Sequence, residues 1–67
     1  MSPRVIEEWY LLGRYRVLKL DRAVSGNGSR YRINGKIYEP KQLSEDLSNF
    51  IAIRTRDSFL GASVELI

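Results

Sequence analysis

The chain has 67 residues, 43% of them hydrophobic, and it contains neither cysteine nor histidine. Disulfides and a conventional zinc site are therefore excluded, and enzymes' commonest general base and best nucleophile are both absent. The formal net charge is +3, but the segment from Arg14 to Lys36 alone carries seven basic residues and one acid. Such an uneven distribution of charge along the chain favours an anionic partner.

The N-terminal residues have the pattern of a short helix. The Ser-Pro dipeptide after the initial methionine matches an N-cap followed by the first helical residue. Val5, Trp9 and Leu12 then recur at helical spacing. The sequence therefore predicts a helix over residues 3–12. The alternative is an extended conformation for residues 9–12, continuous with the strand that follows.

The remaining elements are predicted as short strands joined by turns. The strands are expected over residues 14–20, 30–33, 36–39, 50–54 and 62–67. The Gly-rich stretch 24–29 is predicted as a surface loop or the tip of a hairpin, and residues 57–61 are predicted as a turn. One helical turn is predicted near residues 41–48, with Leu43 and Leu47 on its buried side.

The clearest local signal is Asn34-Gly35 between two β-rich runs, because both residues of a tight hairpin turn must adopt positive φ. A two-residue turn pairs Ile33 with Lys36, Arg32 with Ile37, Tyr31 with Tyr38, and Arg30 with Glu39. One face is then an aliphatic and aromatic core cluster. The other carries Ile37 among charged residues, which predicts that either the N-terminal helix or another chain covers it.

These elements predict a mainly β fold in a single small domain, residues 1–67. The expected architecture is a five-stranded antiparallel barrel or strongly bent sheet of the SH3-like or OB-like kind, since closure protects sheet edges. The alternative is an α+β fold, with an open antiparallel sheet packed by the N-terminal helix. A domain this small without disulfides or zinc is stabilised either by tight packing or by self-association, so a homo-oligomer is as much expected as a monomer.

The basic residues form a candidate site for nucleic acid or another anion. Arg-x-Arg occurs three times, and residues i and i+2 of a strand share a face. A shared face would bind phosphate groups through guanidinium forks, although exposed arginines on an open sheet are also ordinary surface residues. Tyr15 and Tyr31 would point the other way, into the core. The candidate contacts are Arg14, Arg16, Arg30, Arg32, Lys36, Arg54 and Arg56.

Protein contacts are the favoured function, with nucleic-acid binding as the alternative. Trp9 and Tyr10 are residue types common at interfaces, Ile37 fits a solvated face poorly, and Leu66 lies in a last strand that could extend another sheet. We expect a non-enzymatic binding or accessory module with no cofactor, no metal and no small-molecule substrate. Because the longest apolar run near the start is four residues, we also expect a cytoplasmic protein without a membrane partner.

Overall fold

The computed structural model describes residues 2–11, 14–24 and 30–67, apart from the side chains of Gln42 and Glu45. The described chain is mainly β. Its strands are β1 (Val5–Leu11), β2 (Tyr15–Leu20), β3 (Tyr31–Ile33), β4 (Lys36–Tyr38), β5 (Lys41–Gln42), β6 (Phe50–Ile53) and β7 (Val64–Leu66), and one 3₁₀ turn spans Glu45–Leu47. No helix in this part of the chain is long and apolar enough to cross a membrane.

The strands form two antiparallel sheets. One has the order β1-β2-β6-β5 and the other the order β4-β3-β7. Pro40 separates β4 from β5 and has no N–H to donate to a ladder, so the chain passes there from one sheet to the other. A single bridge between Arg4 and Ser63 links the sheets on the far side. The ladders of the described residues therefore make two open sheets, and the predicted closed barrel is not found.

The predicted N-terminal helix is wrong, because residues 5–11 form strand β1. This strand pairs with β2, with Trp9 opposite Val17, and a bulge between Val5 and Glu7 changes which side chains face the core. The start of β1 is also held by the far end of the chain, through hydrogen bonds from Val5 N to Ala62 O at 3.0 Å and from Val64 N to Pro3 O at 2.8 Å. These long-range pairs outweigh the local helical pattern. Leu12, which completed the helical spacing, lies outside the described residues.

The predicted hairpin is confirmed. Asn34 and Gly35 have φ values of 51° and 81°, as a tight turn of this kind requires. The ladder has the predicted register, with Tyr31 opposite Tyr38 and Arg32 opposite Ile37. The strands predicted around residues 14–20, 50–54 and 62–67 are also present as β2, β6 and β7.

Residues 41–48 differ from the prediction. They contain the two-residue strand β5 and a 3₁₀ turn of only three residues. Leu43 lies outside this turn, so it shares no helical face with Leu47, and the two leucines are 43% and 41% exposed. Their predicted burial is wrong. In the predicted loop 24–29, residues 25–29 lie outside the described part of the chain.

The core lies between the two sheets. Both sheets contribute to it: buried side chains alternate along β2, β3 and β6, β1 and β7 add Val5 and Val64, and the connection between β6 and β7 adds Phe59. The buried residues are Val5, Leu18, Leu20, Tyr31, Ile33, Ile51, Ile53, Phe59 and Val64. Because this set uses one face of each sheet, the opposite face of each remains exposed to solvent.

Candidate functional site

The outward side of the four-stranded sheet is the first candidate surface, and we call it the outer face. Along β2, Arg16, Leu18 and Leu20 point into the protein, so the alternate residues point out. The register then assigns the same side to their partners on β1, β6 and β5. The outer face comprises Glu7, Trp9, Leu11, Tyr15, Val17, Lys19, Lys41, Phe50 and Ala52.

The centre of the outer face is apolar. The Trp9 and Phe50 rings stack with centroids 6.0 Å apart and planes inclined by 25°. The Lys19 ammonium lies 5.9 Å from the Phe50 ring centroid. Trp9 and Leu11 are nevertheless 45% and 48% exposed. The solvated face of an antiparallel sheet is usually polar, so an apolar centre on the outer face is unusual.

The four predicted interface residues do not meet on one surface. Trp9 lies on the outer face, whereas Tyr10 points the other way and donates a hydrogen bond to the Arg56 carbonyl at 3.0 Å. Ile37 lies on the outward side of the three-stranded sheet, opposite Arg32, and is 56% exposed. The helix that was expected to cover Ile37 does not exist. Leu66 is also exposed, at the end of β7.

The predicted arginine face is divided by the fold. Arg16 is only 7% exposed and points into the protein, so the expected orientation of β2 is reversed. Tyr15, expected in the core, lies half-buried on the outer face, while Tyr31 is buried as predicted. The hairpin arginines are both paired with carboxylates, Arg30 with Glu39 at 3.3 Å as the register predicts, and Arg32 with Glu65 at 3.5 Å.

The other residues predicted to contact an anion lie in two separate places. Lys36 lies 3.9 Å from the Asp57 carboxylate. Arg14, Arg54 and Arg56 come together around an open concavity of about 360 Å³, which Thr55 also lines, and we call this the basic concavity. Arg14 precedes β2 and the other two follow β6, so the antiparallel pairing of these strands brings the three arginines to one end of the sheet.

A buried polar cluster that the sequence did not indicate holds the connection after β6 in place. The Arg16 guanidinium donates to the carbonyls of Arg56 and Asp57, both at 3.1 Å, and to the Tyr10 hydroxyl. It also lies 3.6 Å from the Glu8 carboxylate. The Nε and Nη2 atoms of this buried cation thus have acceptors, and its Nη1 atom faces a carboxylate. Such pairing is the condition for burying a charge.

Glu8 completes this cluster from β1. Its carboxylate accepts hydrogen bonds from the Ser58 hydroxyl and from the Phe59 amide, the latter at 2.9 Å. Burial by itself would raise the pKa of Glu8, but the hydrogen bonds from Ser58 and Phe59 and the charge of Arg16 outweigh it. The pKa of Glu8 is therefore held below its ordinary value of 4.5.

This shift predicts an acid-sensitive fold. Because the pKa of Glu8 is lower in the folded than in the unfolded chain, its contribution to stability is present above pH 4.5 and is lost as the pH falls through the folded-state value. Urea unfolding measured between about pH 7 and about pH 3 should show a smaller loss of stability for Glu8→Gln than for the wild type. Glu39→Gln, at an exposed ion pair, should lose stability with acid as the wild type does. Equal pH dependence of the two variants would contradict the role of Glu8.

Comparison with family models, with curated proteins and with solved structures gives no match. Within the described ranges, no group of three or more carboxylates is placed to hold a metal ion. Among the described residues, the outer face and the basic concavity are two surfaces on which a function can be argued. They differ in chemistry, since the first has an apolar centre and the second is lined by arginines.

Proposed function

We propose that this chain is a non-enzymatic protein-interaction module, and that its outer face packs against the same face of a second copy. The observation that supports this most directly is the Trp9–Phe50 stack, which leaves nearly half of Trp9 exposed. Tryptophan is among the residues that contribute most to the stability of interfaces, provided that the contact excludes water.

Covering the outer face would offset a weakness of so small a domain. Leu11 is half-exposed beside the stack, and Tyr15, Val17 and Ala52 are only partly buried. Removing apolar surface from water stabilises by roughly 25 cal/mol per Å². A contact that forms only between folded chains also stabilises the folded state by mass action. Self-association is therefore the simplest way for a 67-residue chain without disulfides to gain stability.

The charges at the edges of the outer face favour a second copy as the partner. Glu7 lies on β1 and Lys41 on β5, which are opposite edge strands of the sheet. A two-fold axis parallel to the strands would set the β1 edge of one protomer over the β5 edge of its partner. Glu7 of one protomer would then lie on the same edge as Lys41 of its partner, offset by two residues along the strands. The two-fold symmetry of an isologous interface repeats this pair of opposite charges at the other edge.

The size of the face sets the expected affinity. The chain measures 28 × 26 × 20 Å. The outer face is one side of a molecule of this size, so its area is at most comparable with the roughly 800 Å² per partner that a standard interface buries. Losses of rigid-body freedom and of side-chain freedom oppose association. We expect a weak dimer with a dissociation constant on the order of 10 to 100 µM.

Sedimentation velocity over about 1 to about 500 µM tests this proposal, since that range spans the expected dissociation constant. The wild type should shift from monomer to dimer, and Trp9→Lys should weaken dimerisation by about tenfold or more because it places a charge in the apolar centre. Ile37→Lys is the matched control. It adds the same charge at an exposed apolar position on the other sheet and should leave dimerisation unchanged.

Two results would overturn the proposal. One is a wild type that remains monomeric at every concentration. The other is equal loss of dimer in Trp9→Lys and Ile37→Lys, which would mean that net charge and not the outer face governs association. Far-ultraviolet circular dichroism of both variants should match the wild type, because neither side chain belongs to the core.

A further inference from the structure

We propose that the basic concavity binds a dianionic phosphoryl group, of the kind carried by a phosphate monoester or by pyrophosphate. This inference does not depend on dimerisation through the outer face. It rests on the placement of Arg14, Arg54 and Arg56 around one hollow and on the chemistry of its lining.

The charge of the concavity is not neutralised by the protein. In the part of the chain that the structure describes, the guanidinium groups of Arg14, Arg54 and Arg56 have no carboxylate partner. The next acid along the chain, Asp57, instead lies beside the Lys36 ammonium, at 3.9 Å. Three like charges that share one hollow repel each other, and a bound dianion would relieve that repulsion.

The backbone beneath the concavity is held in place. Arg16 donates hydrogen bonds to the carbonyls of Arg56 and Asp57, and the Tyr10 hydroxyl donates to the first of these. The Thr55 hydroxyl oxygen accepts a hydrogen bond from the Asp57 amide at 3.1 Å, so its own proton is free to be donated to a ligand. A site whose backbone is already ordered pays less entropy on binding.

The donors match a phosphoryl group better than other anions. Each guanidinium presents a planar fork of N–H groups, and a phosphoryl dianion has three terminal oxygens that can accept from several forks at once. A carboxylate has one negative charge and two oxygens, and a nucleic-acid phosphodiester likewise has one charge and two non-bridging oxygens. Three arginines and a threonine around about 360 Å³ therefore favour the dianion.

Isothermal titration calorimetry of the full chain tests the site, with inorganic pyrophosphate and phenyl phosphate titrated separately at about pH 7.5, where both carry at least two negative charges. We expect saturable binding of one ligand per chain, and the tighter ligand identifies the source of the phosphoryl group. Arg54→Gln should weaken binding about tenfold, since a hydrogen-bonded charge pair is lost. Arg32→Gln removes the same charge from an exposed ion pair and should change the affinity less than about twofold.

Equal weakening of ligand binding by Arg54→Gln and Arg32→Gln would overturn the proposal, because it would show that the ligand is attracted only by the net charge of the protein. Tighter binding of single-stranded DNA or of an oligoglutamate peptide than of pyrophosphate at the same ionic strength would also overturn it. Repeating the titration with Trp9→Lys tests whether phosphoryl binding is independent of dimerisation through the outer face. Trp9→Lys should bind the phosphoryl ligand as tightly as the wild type does, even if the wild type proves to be monomeric.

Discussion

Replacing Arg16 by methionine should destabilise the fold by about 3 kcal/mol, because it leaves the Glu8 carboxylate, whose side chain is only 13% exposed, without its cation. The same change removes the donors to the carbonyls of Arg56 and Asp57. In a domain of this size such a loss is a large part of the total stability, so we expect a mostly unfolded population at 37 °C. Urea titration followed by Trp9 fluorescence and by circular dichroism measures the effect.

A matched control and a double variant separate this effect from the loss of a surface charge. Arg32→Met breaks an ion pair in which both side chains are about half-exposed, and it should cost less than about 1 kcal/mol. Adding Glu8→Gln to Arg16→Met should recover part of the stability, since no buried charge then remains unpaired. If Arg16→Met and Arg32→Met lose the same stability, the buried cluster does not have the role described.

Replacing Phe59 by alanine should cost about 3 to 4 kcal/mol, because it empties a position that is only 2% exposed. The ring packs edge-on against Tyr38, with centroids 5.4 Å apart, and so joins the β6–β7 connection to the hairpin. Leu60→Ala is the natural comparison. This neighbouring residue is 62% exposed, and its replacement should change the unfolding free energy by less than about 0.5 kcal/mol.

The same urea titration checks this second result. Phe59→Leu should fall between the wild type and Phe59→Ala, since it retains most of the apolar volume but loses the aromatic contact. Similar losses of unfolding free energy in Phe59→Ala and Leu60→Ala would mean that the connection after β6 does not close the core. Unfolding at low urea in Phe59→Ala but not in Leu60→Ala would agree with the structure.

The hairpin could be predicted because its cause is local. Asn34 and Gly35 tolerate positive φ, and a two-residue turn leaves only one register for the strands beside it. The ion pair between Arg30 and Glu39 and the burial of Tyr31 follow from that register. Local chemistry therefore specified both the element and the direction of its side chains.

The conformation of the first residues could not be predicted in the same way. A Ser-Pro start and apolar residues at helical spacing are genuine helix signals. They were overridden by pairing with β2 and by hydrogen bonds to residues 62–64, almost the whole chain length away. The bulge after Val5 then turned Val5 inward and Trp9 outward, which created the apolar centre of the outer face.

Composition and local pattern were thus enough to predict a small, mainly β chain with a hairpin at Asn34-Gly35 and a basic middle segment. Tertiary structure decided which arginines are available to a ligand. Strand alternation allows either face of β2 to point inward, and Arg16 is buried only because Glu8 and the carbonyls of residues 56 and 57 satisfy it. Arg14 is far in sequence from Arg54 and Arg56, and the three share one concavity because β2 and β6 are paired.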